Sequence, residues 1–405
     1  MPAAPPYHWG DGRQADKRHF TILTGHAFDM VADSRPLRPA QNPLFGPNPF
    51  KLGIFSLNAD GGIAITRVPE RWRAEWPDIA AVAELADRAG FEFILPIARW
   101  KGFGGETDAR GRSFETLTHG AALAALTRRI AIFSTVHAPL VHPVFAAKAI
   151  ATIDHVSQGR AGLNIVCGWN QPEFEMFGTG QPDERYAHGL EWYEVFARLL
   201  IGGPPFDFKG KYFDLKGVVG APSTVQKPRP VVMSAAFSGA GRDFAARTSD
   251  FLFTTFAEIE SGAQHIKDIR ERGRRLGREL GVFTTTHVVC RETQREAEQY
   301  YERYAVAEAD HGAVDFHMKL KQEFAPSHDA HVFDLYRKRF AGGVGTYPLV
   351  GTPERIVAEM AEMHRIGFVG TTVSFVNFRD ELPFFIDRVL PLMEQAGLRR
   401  PVSAT

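Results

Sequence analysis

The chain has 405 residues, 44% of them hydrophobic and 23% charged, with 47 basic side chains against 47 acidic ones and a formal net charge of zero. That length holds one large domain or two ordinary ones, and the composition is that of a soluble globular protein. The neutral balance argues against a nucleic-acid binder, and no apolar run is long enough to span a bilayer.

Residues 1–49 are rich in Pro, Gly, Asn and charge and read as an arm over the main body, partly ordered by Phe20, Ile22 and Leu23; they lack the apolar stretch of a secretory signal. Residues 50–57 form the first buried strand, and Gly61-Gly62 follows. Trp72 and Trp76 lead into a helix with Pro77 in its first turn and Asp78 just inside, ended by Gly90. The unit repeats: strand 91–96, a glycine-rich loop over 99–113, helix 115–126, strand 130–135, helix 146–156, a turn at 157–160 and strand 161–167. His142, before Pro143 at a helix start, reads as structural. The predicted course continues with helix 184–200, a hairpin region over 204–230, strand 231–235, helix 240–248, strand 251–254, helix 259–280, strand 283–289 and helix 292–310. Residues 312–348 break this rhythm. They are polar and rich in histidine (His317, His328, His331), end in Gly342, Gly343 and Gly345, and read as a long mobile cover over one mouth. Helix 353–366, strand 371–378 and helix 382–396 complete the body.

Eight strands alternating with helices predict an α/β protein, a closed (β/α)8 TIM barrel over 50–396 with an N-terminal arm at 1–49, an insertion at about 312–348 after strand 7 and a C-terminal tail at 397–405. No G-x-G-x-x-G follows the first strand, which weighs against an open dinucleotide-binding sheet. The two cysteines, Cys167 and Cys290, lie in apolar strand-like runs and fit a reducing, cytoplasmic setting rather than a disulfide framework or a zinc site. The 32 Phe against 9 Tyr suit a wide apolar pocket or an ordinary large core.

The stretch 145–186, FAAKAIATIDHVSQGRAGLNIVCGWNQPEFEMFGTGQPDERY, organises the rest. Its strand puts Leu163, Ile165 and Cys167 on one face and Asn164 and Val166 on the other. Asn164 is a lone amide in an apolar run and must find partners, either neighbouring backbone or a ligand at the barrel mouth. Thr135 ends the strand IAIFST, and His137, two residues on, shares its face as a substrate contact, a proton shuttle or a satisfied core histidine. Ser238-Gly239-Ala240-Gly241 opens a helix directly after a strand, which suits a bound phosphate as well as a plain N-cap. Arg185 and Tyr186 add a charge and a hydroxyl, unless Arg185 forms a surface ion pair with Asp183 or Glu184. Trp169, Phe103, Phe55 and Phe375, at strand ends, are the aromatic candidates for walls around a flat ligand.

The order of these motifs, from ATIDHVSQGR and AGLNIVCGW through NQPEFEMFG to DERY, resembles the bacterial luciferase-like, two-component flavin monooxygenases. The loop Arg99–Thr107 is similar to the pyrimidine-oxygenase branch that opens the uracil ring. The Gly61-Gly62-Ile63 region is similar to the dimethyl-sulfone and alkanesulfonate branch. The resemblance covers about residues 50–396 and implies an FMNH2- and O2-dependent monooxygenase of a small organic substrate. It also implies a separate NAD(P)H-dependent flavin reductase that supplies FMNH2, and a homo-oligomer, dimer or tetramer. Carried over by position, the flavin contacts fall on Ala98, Arg99 (where the family has Lys), Asn164, Trp169, Glu173, Arg185, Tyr186 and Ser238. Thr135 and Asn164 serve bound dioxygen, with His137 beside them. A sulfone or alkanesulfonate monooxygenase, a non-catalytic flavin-binding barrel and a deazaflavin-dependent oxidoreductase remain as alternatives.

Overall fold

The structure is a computed structural model that describes residues 42–180, 184–256, 258–324 and 339–402. In chain order the strands are β1 (Lys51–Phe55), β2 (Phe93–Leu95), β3 (Ala131–His137), β4 (Ala161–Val166), β5 (Phe206–Lys209), β6 (Asp214–Val218), β7 (Val231–Ala235), β8 (Phe251–Phe253), β9 (Gly281–Cys290), β10 (Tyr347–Gly351) and β11 (Gly370–Ser374). Eight of them, β1–β4, β7–β9 and β11, pair in parallel, and the β8–β9 pairing closes them into a barrel. The expected TIM-barrel architecture is therefore present. β5 and β6 form the expected surface hairpin.

The helices are α1 (Trp76–Arg88), α2 (Thr116–Leu126), α3 (Pro143–Val156), α4 (Gln171–Met176), α5 (Arg185–Ile201), α6 (Gly239–Thr248), α7 (Ile259–Arg275), α8 (Gln294–Glu302), α9 (His311–Phe324), α10 (Pro353–Ile366) and α11 (Phe378–Gln395). Their starts follow local chemistry. His142 caps α3 by accepting from Val144 N, and Ser238 caps α6 by accepting from Gly241 N. α11 begins four residues before the expected Leu382, because Asn377 accepts from Arg379 N and Asp380 N and so starts the helix ahead of Pro383.

Phenylalanines fill the barrel floor. Phe93 meets Phe133 and Phe283 edge-on at 5.8 and 5.0 Å, and Phe251 meets Phe283 at 5.2 Å. Glycines on adjacent strands admit these rings. A Cβ on Gly53 would lie 2.5 Å from the Phe93 ring, and one on Gly162 would lie 2.6 Å from Phe133. Leu44, in a short turn before β1, belongs to the same cluster. The barrel's core therefore starts before the expected boundary at residue 50. The expected ordering of the arm by Phe20, Ile22 and Leu23 falls outside the described residues.

Three other expectations change. Residues 397–402 are no loose tail: Leu398 is buried, its carbonyl accepts from Phe50 N at 3.0 Å, and Arg399 pairs with buried Glu92 at 3.0 Å. The 312–348 segment is not a polar loop throughout. α9 opens it, and Ala313, Val314, Met318 and Leu320 pack with Phe103, Phe340 and Ala341 in a core of their own. Gly342 and Gly343 are close-packing residues rather than a hinge, since a Cβ on Gly343 would sit 2.2 Å from His287 Nδ1. Finally, β10 extends the sheet by pairing with Thr286–Cys290 of β9. Pro348 lies on this strand, at an edge of the sheet where proline is tolerated. Residues 325–338, with His328 and His331, lie outside the described residues.

Candidate active site

A cleft of about 230 Å³ opens at the C-terminal ends of β1, β2, β3, β4, β7 and β8. This is the face where (β/α)8 barrels carry their active sites. It is lined by Ala98, Arg99, Thr135, His137, Asn164, Trp169, Arg185, Tyr186 and Ser238 among others, so nine of the ten positions anticipated from sequence share one cavity. Glu173 is the exception.

The β3–β4 register sets Thr135 beside Asn164. Thr135 Oγ1 donates to the Pro96 carbonyl at 2.6 Å and accepts from Asn164 Nδ2 at 3.2 Å. Asn164 Oδ1 is buried without a partner. Neighbouring backbone thus leaves the amide incompletely satisfied, the condition under which a ligand group is gained rather than tolerated.

Glu173 lies on α4 and is 1% exposed. Its Oε1 accepts from Arg99 Nη1 at 3.0 Å and from Trp100 N at 2.9 Å, and its Oε2 lies 3.6 Å from His137 Nδ1 with no hydrogen bond. It thus positions two lining residues from behind. Burial pushes His137 down to about 4 despite the pull of Glu173, so the imidazole is neutral at neutral pH.

At the opposite end, Ser238 Oγ lies 3.0 Å from Tyr186 Oη at the first turn of α6. Gly241 keeps the turn open, because a Cβ there would stand 2.9 Å from Tyr186 Oη. Arg185 donates to the Gly168 carbonyl at 3.2 Å and lies over the Tyr186 ring at 5.1 Å. It does not pair with Glu184, which binds Lys211 instead; Asp183 lies outside the described residues. Ser238, Tyr186 and Arg185 thus line the cleft beside the N-terminus of α6, an arrangement that can hold an anion.

Of the aromatic candidates, Phe55 and Trp169 line the cleft. Phe103 packs beneath α9, and Phe375 packs on Phe378 and Phe385 away from it. Sequence reasoning missed Phe253, Phe237, Ser234 and Cys167 as lining residues. Phe253 was within reach, as the last residue of a strand and two places from Phe251 of the floor. Cys167 is held as a neutral thiol, pushed up to about 12 by burial. Among the described residues no group of three or more His, Cys, Asp or Glu could hold a metal ion, and no helix is long and apolar enough to cross a membrane.

Residues 50–370 match the family described as luciferase-like monooxygenases. The chain belongs to this family. Among its relatives, the pyrimidine monooxygenase RutA of Enterobacter sp. (strain 638) is 31% identical over 358 residues, covering 85% of this chain and 96% of the relative. The FMNH(2)-dependent dimethylsulfone monooxygenase of Pseudomonas putida is 28% identical over 366 residues, covering 87% and 97%. Among solved structures, DmoA from Hyphomicrobium sulfonivorans superposes with a TM-score of 0.78 at 20% identity, over 89% of this chain and 90% of that one. A riboflavin lyase crystallised with modified FMN and riboflavin gives 0.76 at 22%, over 88% and 94%. For this luciferase-like monooxygenase the two structural matches bear on the barrel alone.

Proposed function

We propose that the chain is an FMNH2- and O2-dependent monooxygenase acting in the cytoplasm on a small organic substrate, a pyrimidine-like ring amide or a similar heteroatom-bearing compound. A separate NAD(P)H-dependent reductase provides the reduced flavin. The observation that carries this reading is one cavity holding an anion cradle at one end and the Thr135–Asn164 pair at the other. Family membership and the FMNH(2)-dependent relative support it, and both cysteines are free.

The residues suit the cofactor. Ser238, Tyr186, Arg185 and the α6 N–H groups would hold its phosphate. Phe55, Ile97, Val166 and Phe253 offer apolar walls to its ring system, and the orphaned Asn164 Oδ1 gains a partner. Bound reduced flavin supplies the electrons that activate dioxygen, one oxygen atom passing to product and the other to water. The protein's share is to orient, to exclude water and to manage protons. Asn164 holds a second N–H beside the one given to Thr135, and His137 accepts or returns a proton within the cavity. The test is turnover of a substrate panel under 18O2 with FMN, NADH and an added reductase. One 18O atom per product is expected. Oxidation with oxygen drawn only from water would remove the monooxygenase reading. A sulfone substrate is the second reading, favoured by the dimethylsulfone relative's coverage of 87% of this chain, and belongs in the same panel.

A further inference from the structure

The part of the cleft wall made by Arg99 and Trp169 is backed by α9, which contributes no residue to the lining. Two ties join helix and wall. Asp310, just before α9, accepts from Thr107 N at 2.8 Å and Thr107 Oγ1 at 2.7 Å through one carboxylate oxygen, and from Ala313 N at 3.2 Å through the other. It thus caps the helix and fastens to it the loop that runs from Arg99 to Thr107. The second tie is His317, within α9 and 1% exposed. Its imidazole stacks on Phe103 of that loop at 3.7 Å and 5°, runs parallel to Trp169 at 5.7 Å and 7°, and meets Phe340 edge-on at 4.7 Å.

Neither ring nitrogen of His317 has a hydrogen-bond partner. A buried imidazole ordinarily bonds through at least one nitrogen, and this one contributes flat faces alone. Phe103 follows β2 and Trp169 follows β4, so a single ring serves as the common surface against which two loops from separate strands are set. The same two aromatics hold Arg99. Its guanidinium carbon lies 5.2 Å from the Phe103 ring centre and 5.4 Å from that of Trp169, while Nη1 reaches Glu173 at 3.0 Å. Contacts of this kind fix a long side chain that is otherwise free to rotate. Burial, with Lys321, Arg110 and Arg99 adding to it, pushes His317 well below its usual range. The ring is therefore neutral at neutral pH and does not repel the guanidinium beside it.

We propose that His317 is a positioning residue: through its flat faces α9 sets Trp169 and Arg99 in the cleft wall, and with them the fit of bound flavin at the end away from Ser238. On this account α9 is a fixed brace of the cavity, and His317 touches neither flavin nor substrate. The proposal rests on the reading that the cleft binds flavin.

The test pairs titration of oxidised FMN, followed by the change in its visible absorbance, with the melting temperature of the FMN-free chain. His317→Leu supplies a side chain of similar volume with no flat face and no unpartnered nitrogen. It should melt no lower than wild type, since it removes two buried polar atoms that lack partners. It should nevertheless bind FMN about three- to tenfold more weakly, the worth of one aromatic contact. His317→Phe restores a flat face and should bring the affinity back to within about twofold of wild type. In a Trp169→Leu background, His317→Leu should weaken binding little further, because the residue it positions is already gone. If His317→Leu does not fold, His317→Met, which fills irregular gaps without a flat face, carries the same comparison. Unchanged FMN affinity in His317→Leu, a loss that His317→Phe does not recover, or losses at positions 317 and 169 that simply multiply would each overturn the proposal. Wild type that binds no FMN overturns the flavin reading and this inference with it, whereas wild type and His317 variants that bind FMN equally well overturn this inference alone.

Discussion

Asn164 gives one amide N–H to Thr135 and keeps its carbonyl oxygen unpaired inside the barrel. Asn164→Ala should therefore leave the fold intact and loosen control of bound dioxygen. Peroxide released per product formed should rise several-fold, measured by a peroxidase-coupled assay beside product mass spectrometry. Full product yield would reduce Asn164 to a packing residue. Thr135 stands differently, because its hydroxyl proton already belongs to the Pro96 carbonyl. Thr135→Val should lower stability by about 1–3 kcal/mol, the cost of leaving buried partners unsatisfied, as read by denaturant unfolding. A variant as stable as the parent would show that Pro96 finds another donor. Strand parity sends Thr135 and His137 to one side, and the place of Thr135 and Asn164 in the site was expected from the resemblance; the register that sets the two side by side comes from the β3–β4 pairing. The role of Glu173 was not legible. It acts through Arg99, 74 positions away, and through His137, and nothing in the local pattern announces a carboxylate that works from behind the cavity.

At the scale of elements, α2 carries a buried histidine with a pH signature. His119 lies 6.3 Å from both Trp76 and Phe114, neither of its nitrogens has a partner, and burial lowers it from 6.5 to about 4. Because the folded value is the lower one, the unfolded chain takes up the proton first as pH falls. The stability is complete above about 6.5 and declines as pH drops towards 4. His119→Phe should hold or raise the melting temperature at pH 7 and shrink its fall between pH 7 and pH 5, seen by differential scanning fluorimetry. An unchanged fall would place the acid sensitivity elsewhere, in His137 or His287. Elements with strong period and clear caps were readable within a few residues. α10 matched to the residue, with Thr352 as its cap, Pro353 in the first turn and Gly367 after it. The segment after α8 was misread because helical α9 looks polar: its apolar face meets a local core that includes Phe340, and no single window of sequence contains both.

Across the whole molecule, six of the eight barrel strands bring residues from positions 55 to 253 to one mouth, and this juxtaposition is what composition and periodicity alone leave unsaid. The sequence carried the barrel through its alternation of strands and helices, and it carried the cradle through Ser238 before α6. The expected nearness of Tyr186 to Ser238 is produced by α5 packing beside α6. The central claim is that this mouth recognises a flavin by its phosphate. The most direct measurement compares FMN with riboflavin, which differ only in that group, by anaerobic titration of the reduced cofactors onto the wild-type chain and onto Arg185→Ala. Wild type should bind reduced FMN at one per chain and at least about tenfold more tightly than riboflavin, the worth of one charge-assisted hydrogen bond, and Arg185→Ala should lose most of that margin. Equal affinity for the two cofactors, or a margin untouched by the substitution, would contradict it.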